Sequence, residues 1–157
     1  PETPFARHHT DVLPAWIDYN GHMTEFRYLQ VMSDAADCLL TYLGLSQDYV
    51  EAGFSIYTVE THIRHLAEAK LGEKITVATQ ILSADEKKIR LWHSLKTEAG
   101  TEVATGEQMW LHVDMKAGRA APMRGLLRER MLALFEAHQS LNMPEGAGRH
   151  IGQKSGK

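Results

Sequence analysis

Cysteine is nearly absent from the sequence: Cys38 is the single example among 157 residues. One thiol cannot form a disulfide within the chain or supply a multi-thiolate metal site. An excess of positive charge is absent too, because 17 Lys and Arg residues stand against 20 Asp and Glu residues, for a net charge of −3. We therefore expect no nucleic-acid partner, since binding to a phosphate backbone depends on surplus cationic side chains. The cysteine content favours a reducing compartment, and we predict a cytoplasmic protein.

The sequence also lacks long hydrophobic runs. No apolar stretch approaches the roughly 18 to 20 residues that cross a bilayer, and residues 1–11 lack the cationic and apolar regions of a signal peptide. We therefore expect no membrane partner. The length is that of one domain. We predict this domain over residues 1–139 and a flexible tail over residues 140–157, which is rich in glycine and offers few apolar side chains to bury.

Apolar side chains recur every three or four positions over residues 24–43, which predicts a long amphipathic helix. Gly44 follows as a C-terminal stop signal. The middle of this helix, residues 33–37, consists of small or short side chains. Such residues allow another backbone to approach closely, so we expect the helix to be wrapped by other elements.

From about residue 54 the hydrophobic period changes to two. Four alternating segments separated by short turns predict long strands in antiparallel order, because parallel pairing would need long crossovers. A short strand near residues 8–14 and a second amphipathic helix over residues 124–138 complete the pattern. The predicted fold class is α+β, with a long helix on one face of an antiparallel sheet.

The segment between the first strand and the long helix concentrates chemically useful groups. Asp18 precedes the turn dipeptide Asn20-Gly21, and Thr24 is a good N-cap residue for the helix. Free N–H groups in the first turn of a helix can donate to a developing oxyanion, and a carboxylate just upstream can deliver water to the same point. This pattern favours acyl transfer. The alternative is that Asp18 and Asn20 only shape a turn and Thr24 only caps a helix.

The spacing Asp18-x-x-Gly21-His22-x-x-x-x-x-Tyr28 resembles the DxxGHxNNxxY signature of hotdog-fold acyl-CoA thioesterases of the 4-hydroxybenzoyl-CoA thioesterase type. The resemblance implies a hotdog fold, in which a curved antiparallel sheet wraps a long helix. It also implies thioester hydrolysis without a cofactor. In that family two subunits pair so that sites form at their interface, so we expect a homodimer or a dimer-based tetramer.

The resemblance also implies roles for individual residues. Asp18 falls on the catalytic carboxylate, which activates water or attacks the thioester directly to form an anhydride. The backbone at Gly21, His22 and Met23 falls where the thioester carbonyl is polarised. The alternative for His22 is a structural role, in which its side chain forms a hydrogen bond to the backbone of the turn.

This sequence departs from the signature at the tandem Asn, where Thr24 and Glu25 stand instead. Glu25 is therefore a rival for the catalytic acid, and two nearby carboxylates tend to titrate as a pair. The side chains that we expect to contact substrate are Trp16, Tyr19, Asn20, Thr24 and Glu25.

The aromatic and acidic side chains near the turn predict the acyl group of the substrate. Trp16 and Tyr19 flank Asp18, and aromatic faces beside carboxylates attract a quaternary ammonium ion. Residues 18–28 and 112–123 also resemble the thioesterases that accompany L-carnitine dehydrogenase and act on betainyl-CoA. That resemblance implies release of glycine betaine and free coenzyme A in carnitine degradation. Trp92 and Trp110 on the predicted strands are further candidates, and their alternative role is packing in the core or at a dimer interface.

Other functions remain open. A hotdog-fold hydratase or dehydratase matches the turn only in part, and a non-catalytic acyl-CoA or small-ligand binding module would explain the missing tandem Asn. No metal is expected, because His62 and His65 have opposite parity on a strand and a full ligand set is missing. Cys38 is expected to be buried and inert in the helix. Glu60 and Glu107 are expected on the surface.

Overall fold

The computed structural model describes residues 1–153 and contains one antiparallel sheet and three helices. A 3₁₀ turn, Pro14–Trp16, follows the first strand. The strands are β1 (Phe5–Asp11), β2 (Phe54–His65), β3 (Lys74–Ala84), β4 (Lys88–Thr97), β5 (Glu102–Asp114) and β6 (Arg119–Ala120). The helices are α1 (Glu25–Leu43), α2 (Gln47–Glu51) and α3 (Gly125–His138).

Helix α1 forms where the hydrophobic period predicts it. Thr24 occupies the N-cap position, although its hydroxyl makes no capping bond within the described part of the chain. Gly44 ends the helix with φ +110°, a left-handed conformation that favours glycine, and its N–H donates to carbonyls of the last helical turn. Of the small residues near the helix centre, Ala35 and Ala36 are buried, whereas Ser33 is exposed.

The strand order is β1-β3-β4-β5-β2, and β6 pairs with the end of β5. All the pairs are antiparallel, as predicted. One detail of the prediction is wrong: short turns between successive strands imply that β2 pairs with β3, but these two strands do not pair. Instead, β2 pairs with β5 at the edge of the sheet, so residues 66–73 connect two strands that are not neighbours.

The core lies between α1 and the sheet. Leu39 and Leu43 of α1 are fully buried in one cluster with Ile89 and Trp110 of the sheet, and α3 adds Leu127 to that cluster. A second cluster surrounds the start of α1 and contains Trp16, Met23, Tyr28, Val31 and Met32. The beginning of α1 is therefore held on its buried side by packing, while its first residues reach the surface.

The described part of the predicted tail, residues 140–153, crosses the outer face of the sheet. The Asn142 carbonyl accepts a bond from Gln80 Nε2 at 3.2 Å, and the Gly148 N–H donates to Glu107 Oε1 at 2.6 Å. Trp92 lies next to this segment and is only 6% exposed. The flexibility of the tail stays a prediction, and its last residues, 154–157, lie outside the described residues.

None of the helices within residues 1–153 is both long enough and apolar enough to span a membrane.

Candidate active site

The turn before α1 is closed by backbone hydrogen bonds at its two ends. The Asp18 N–H donates to the His22 carbonyl at 3.1 Å, and the Thr24 N–H donates to the Trp16 carbonyl at 2.8 Å. Between them, the Asn20 N–H donates to Asp18 Oδ1 at 2.8 Å, which makes an Asx turn. Asp18 therefore stabilises the turn, and the same hydrogen bond fixes one of the two carboxylate oxygens of Asp18.

The connection between β2 and β3, residues 66–73, lies against this turn. The turn and the connection form the two walls of one cavity. The Met23 N–H donates to the Ala69 carbonyl at 2.9 Å, and the Ala69 N–H donates to the Tyr28 hydroxyl oxygen at 3.0 Å. The Tyr28 ring meets the His65 ring edge-on, with centroids 5.0 Å apart. Burial raises the pKa of Tyr28, so its hydroxyl is neutral at pH 7. Tyr28 thus joins α1 to the connection.

A contact between two polar side chains also links the two walls. His22 Nε2 lies 2.8 Å from Glu68 Oε2, and both side chains keep contact with solvent. Glu68 and Ala69 of the connection are therefore opposite His22 and Met23 of the turn, and two different kinds of contact hold the segments together.

Between the two walls lies a cavity of about 680 Å³ that is open to solvent. Five of the predicted site residues line it, namely Asp18, Asn20, His22, Met23 and Glu25. Sequence reasoning missed the other five lining residues, which are Tyr28, His65, Leu66, Ala67 and Glu68. The sequence could have identified Tyr28 as a lining residue, because it is the last residue of the motif that begins at Asp18. The remaining four carried no local signal, since they come from a segment about forty positions further along the chain.

The lining is acidic. It contains three carboxylates, from Asp18, Glu25 and Glu68, and neither Lys nor Arg occurs among the described residues that form it. The His22 imidazole faces Glu68. The cavity therefore favours a group that is neutral or positively charged.

The predicted aromatic contacts are not brought together. Trp16 is 7% exposed and packs in the second core cluster, while Tyr19 is 96% exposed at the turn. Neither ring is among the described residues that line the cavity. Trp110 is buried in the core, where its Nε1 donates to Gln108, and Trp92 lies on the outer face of the sheet. Contact of Trp16 and Tyr19 with a substrate stays a prediction.

Two of the three backbone amides predicted to polarise a carbonyl are already engaged. The Gly21 N–H donates to the Asp18 carbonyl at 3.0 Å, and the Met23 N–H donates to the Ala69 carbonyl. The His22 and Glu25 amides have no acceptor among the described residues. These two groups are therefore available to a ligand, whereas the amides of Gly21 and Met23 hold the turn.

Several other candidates lie outside this cavity. Cys38 is half-buried and packs against the core. Glu60 is exposed, and Glu107 bonds to Arg90 at 2.9 Å on the outer face. Within residues 1–153, no cluster of three His, Cys, Asp or Glu side chains has an arrangement that could hold a metal ion.

Comparison with known families gives a match over residues 12–131 to the model described as the thioesterase-like superfamily. Among curated relatives, an L-carnitine dehydrogenase/betainyl-CoA thioesterase of Rhizobium meliloti (strain 1021) is 52% identical over 146 residues. That alignment covers 92% of this chain but only 29% of the relative, so the chain spans less than a third of that protein's length. A betainyl-CoA thioesterase of Pseudomonas aeruginosa is 44% identical, with 91% of both chains covered.

Among solved structures, a Staphylococcus aureus protein determined in complex with CoA superposes with a TM-score of 0.89. It is 25% identical, and the alignment covers 98% of this chain and 99% of that one. Together with the family match, the curled antiparallel sheet around α1 identifies the hotdog fold, and the predicted fold is confirmed.

Proposed function

Because this chain belongs to the thioesterase-like superfamily, we propose that it hydrolyses acyl-CoA thioesters in the cavity beside Asp18. One observation carries the proposal: a carboxylate held by its own turn lines a cavity at the start of α1, where the His22 and Glu25 amides have no acceptor among the described residues. A carboxylate and backbone donors at one point are what thioester hydrolysis requires. The solved CoA complex of a Staphylococcus aureus protein with the same fold is consistent with binding of acyl-CoA.

In the proposed reaction the Asn20 amide holds Asp18 Oδ1, which leaves Oδ2 to act on the substrate. Asp18 takes a proton from water, and the water oxygen attacks the thioester carbonyl carbon. The His22 and Glu25 amides donate to the oxyanion that develops. The carbon–sulfur bond then breaks, and the CoA thiolate takes up the proton. In the second route, the Asp18 carboxylate attacks the thioester carbonyl carbon, and the carbon–sulfur bond breaks to form an anhydride and release CoA thiolate. Water then hydrolyses the anhydride, which releases the acid and regenerates the Asp18 carboxylate, and the thiolate takes up the remaining proton.

We propose betainyl-CoA as the substrate, with glycine betaine and CoA as products in carnitine degradation. Two relatives named for this activity support it, and so does the acidic lining, since carboxylates attract a quaternary ammonium group. Asn20 and Glu25 line the cavity and are proposed to contact the acyl group. Thr24 joins them as the residue that precedes α1. Trp16 and Tyr19 remain the proposed ring contacts.

We further propose that the active form is a homodimer or a dimer-based tetramer. Strand β2 is the edge of the sheet over 12 residues, and edge strands present unpaired backbone groups. The middle of this edge carries exposed Tyr57 and Val59, and the neighbouring helix α1 carries exposed Phe26 and Leu29. A second copy pairing through β2 provides partners for these backbone groups. The cytoplasmic location stays a prediction.

The test is thiol release from betainyl-CoA, isovaleryl-CoA and 3,3-dimethylbutyryl-CoA, with the Asp18→Ala variant assayed alongside. We expect the wild-type protein to prefer betainyl-CoA and the variant to lose turnover on all three. Equal efficiency on the uncharged isostere would show that the charge is not recognised. Binding of acyl-CoA without thiol release would instead support the binding module considered from the sequence.

A further inference from the structure

Two consecutive residues of the β2–β3 connection contact two consecutive residues of the turn that carries Asp18. The Ala69 carbonyl accepts the Met23 N–H, a contact between backbone atoms that does not depend on side-chain identity. The second contact, 2.8 Å between Glu68 Oε2 and His22 Nε2, depends entirely on the two side chains. Glu68 therefore has a specific partner in the turn.

The position of His22 determines the position of Asp18. The His22 carbonyl accepts the Asp18 N–H at 3.1 Å, so a displacement of His22 moves the backbone that carries the Asp18 carboxylate. A reacting group misplaced by on the order of 1 Å loses about 10²-fold in rate. Whatever orients His22 is therefore expected to affect the reaction.

We propose that Glu68 is a positioning residue: its carboxylate holds the His22 imidazole and thereby fixes the turn that carries Asp18. The proposal rests on the proposed function, in which Asp18 is the catalytic group. The Glu68 and His22 side chains are 65% and 32% exposed, and ion pairs in such surroundings add little to folding stability. The effect of removing the pair is therefore expected in turnover and not in Tm.

Glu68 shares the cavity with two other carboxylates, Asp18 and Glu25, so a direct contact with a cationic acyl group is the competing role. The two roles differ in what they predict. Loss of a positioning residue lowers kcat for every acyl group, because the catalytic turn itself is displaced. Loss of a direct contact raises KM for a cationic substrate and leaves a neutral one unaffected.

The experiment compares Glu68→Ala with the control Glu73→Gln in the full chain. Alanine is used at residue 68 because glutamine would keep an oxygen that can accept from His22 Nε2. Glu73 belongs to the same connection, where its carboxylate accepts the Lys70 N–H at 2.7 Å, and glutamine retains that acceptor. We expect Glu68→Ala to lower kcat by about tenfold or more on both betainyl-CoA and 3,3-dimethylbutyryl-CoA, with KM changed by less than about twofold. The control is expected to match wild type.

A double-mutant cycle tests the route through His22. We expect His22→Ala to lower kcat about as much as Glu68→Ala, and the double variant to show little further loss, since both changes break one pair. Unchanged kcat in Glu68→Ala overturns the proposal. So does a loss confined to KM for betainyl-CoA, and so do additive effects of the two substitutions.

A spectroscopic measurement separates this proposal from the proposed function. If the wild-type protein releases no thiol, the proposed function fails, and the amide resonance of Asp18 then decides the role of Glu68. A chemical shift that moves in Glu68→Ala but not in Glu73→Gln supports positioning. An Asp18 resonance unchanged in both variants overturns it. If thiol is released and depends on Asp18 but not on Glu68, only the positioning role fails.

Discussion

The Met32 thioether lies directly against Gly106 at the point where α1 crosses β5. Met32 is fully buried, and a Cβ atom added at residue 106 would overlap its sulfur. Gly106 therefore lets the helix approach the sheet closely. This contact is one place where helix α1 packs closely on β5.

The first prediction is that Gly106→Ala destabilises the protein by about 1–3 kcal/mol, because overpacking a filled core strains its side chains. Urea denaturation measures the change in the free energy of unfolding. The control is Gly152→Ala, since the nearest atom to a Cβ there is 3.8 Å away. The cost is expected to shrink in a Met32→Ala background. The same cost in both backgrounds would show that the sulfur is not responsible.

The second prediction concerns the rival acids. Asp18→Asn is expected to lower kcat by at least about a hundredfold, because the amide cannot act as a base or nucleophile. Asparagine can still accept the Asn20 N–H, so the turn is expected to persist. Glu25→Gln is expected to retain turnover within about tenfold. Full activity in Asp18→Asn together with abolished activity in Glu25→Gln would reassign the catalytic group to Glu25.

The third prediction starts from His93, which is fully buried between Thr79 and Gln108. Its Nδ1 lies 2.8 Å from Thr79 Oγ1, and its Nε2 lies 3.0 Å from Gln108 Oε1. Burial lowers the pKa of His93 from 6.5 to about 4, although the Gln108 contact opposes the change. As the pH falls below 6.5, the unfolded chain takes up a proton at His93 and the folded chain does not. The folded state therefore loses stability, by up to about 3 kcal/mol at pH 4.

Urea denaturation at several pH values between 7 and 5 tests this dependence. We expect His93→Gln to have a smaller loss of stability over that range than wild type, and the exposed-site control His150→Gln to match wild type. Part of the slope is expected to remain, because burial also lowers the pKa values of His112 and His138. An identical slope in His93→Gln and wild type would contradict the prediction.

The fourth prediction concerns the edge strand. Val59 is 56% exposed and lies at the irregularity in the pairing of β2 with β5, so a charge there is expected to block pairing with a second copy. Sedimentation is expected to show a dimer or tetramer for wild type and a monomer for Val59→Glu. Leu126→Glu, an equally exposed site on α3, is expected to retain the wild-type mass. A fully active wild-type monomer at micromolar concentration would refute a shared interface.

The sequence by itself determined the elements of this protein. Helix α1, its end at Gly44 and the antiparallel strands follow from hydrophobic period and turn residues, which are local properties of the chain. The motif from Asp18 to Tyr28 located the turn that lines the cavity, because the residues that shape the turn are adjacent in sequence. These predictions depend on contacts that span only a few positions.

Only the tertiary structure decided how distant segments meet. Strand β2 pairs with β5 at the edge, which brings His65 and Glu68 to the turn that carries Asp18, and no local sequence pattern predicts that position for either residue. In the same packing, the Met23 N–H donates to the Ala69 carbonyl. This N–H is therefore not available to donate to a ligand. The physical reason is that strand partners are selected by burial of whole faces across the sheet, so contacts between segments far apart in the chain depend on topology.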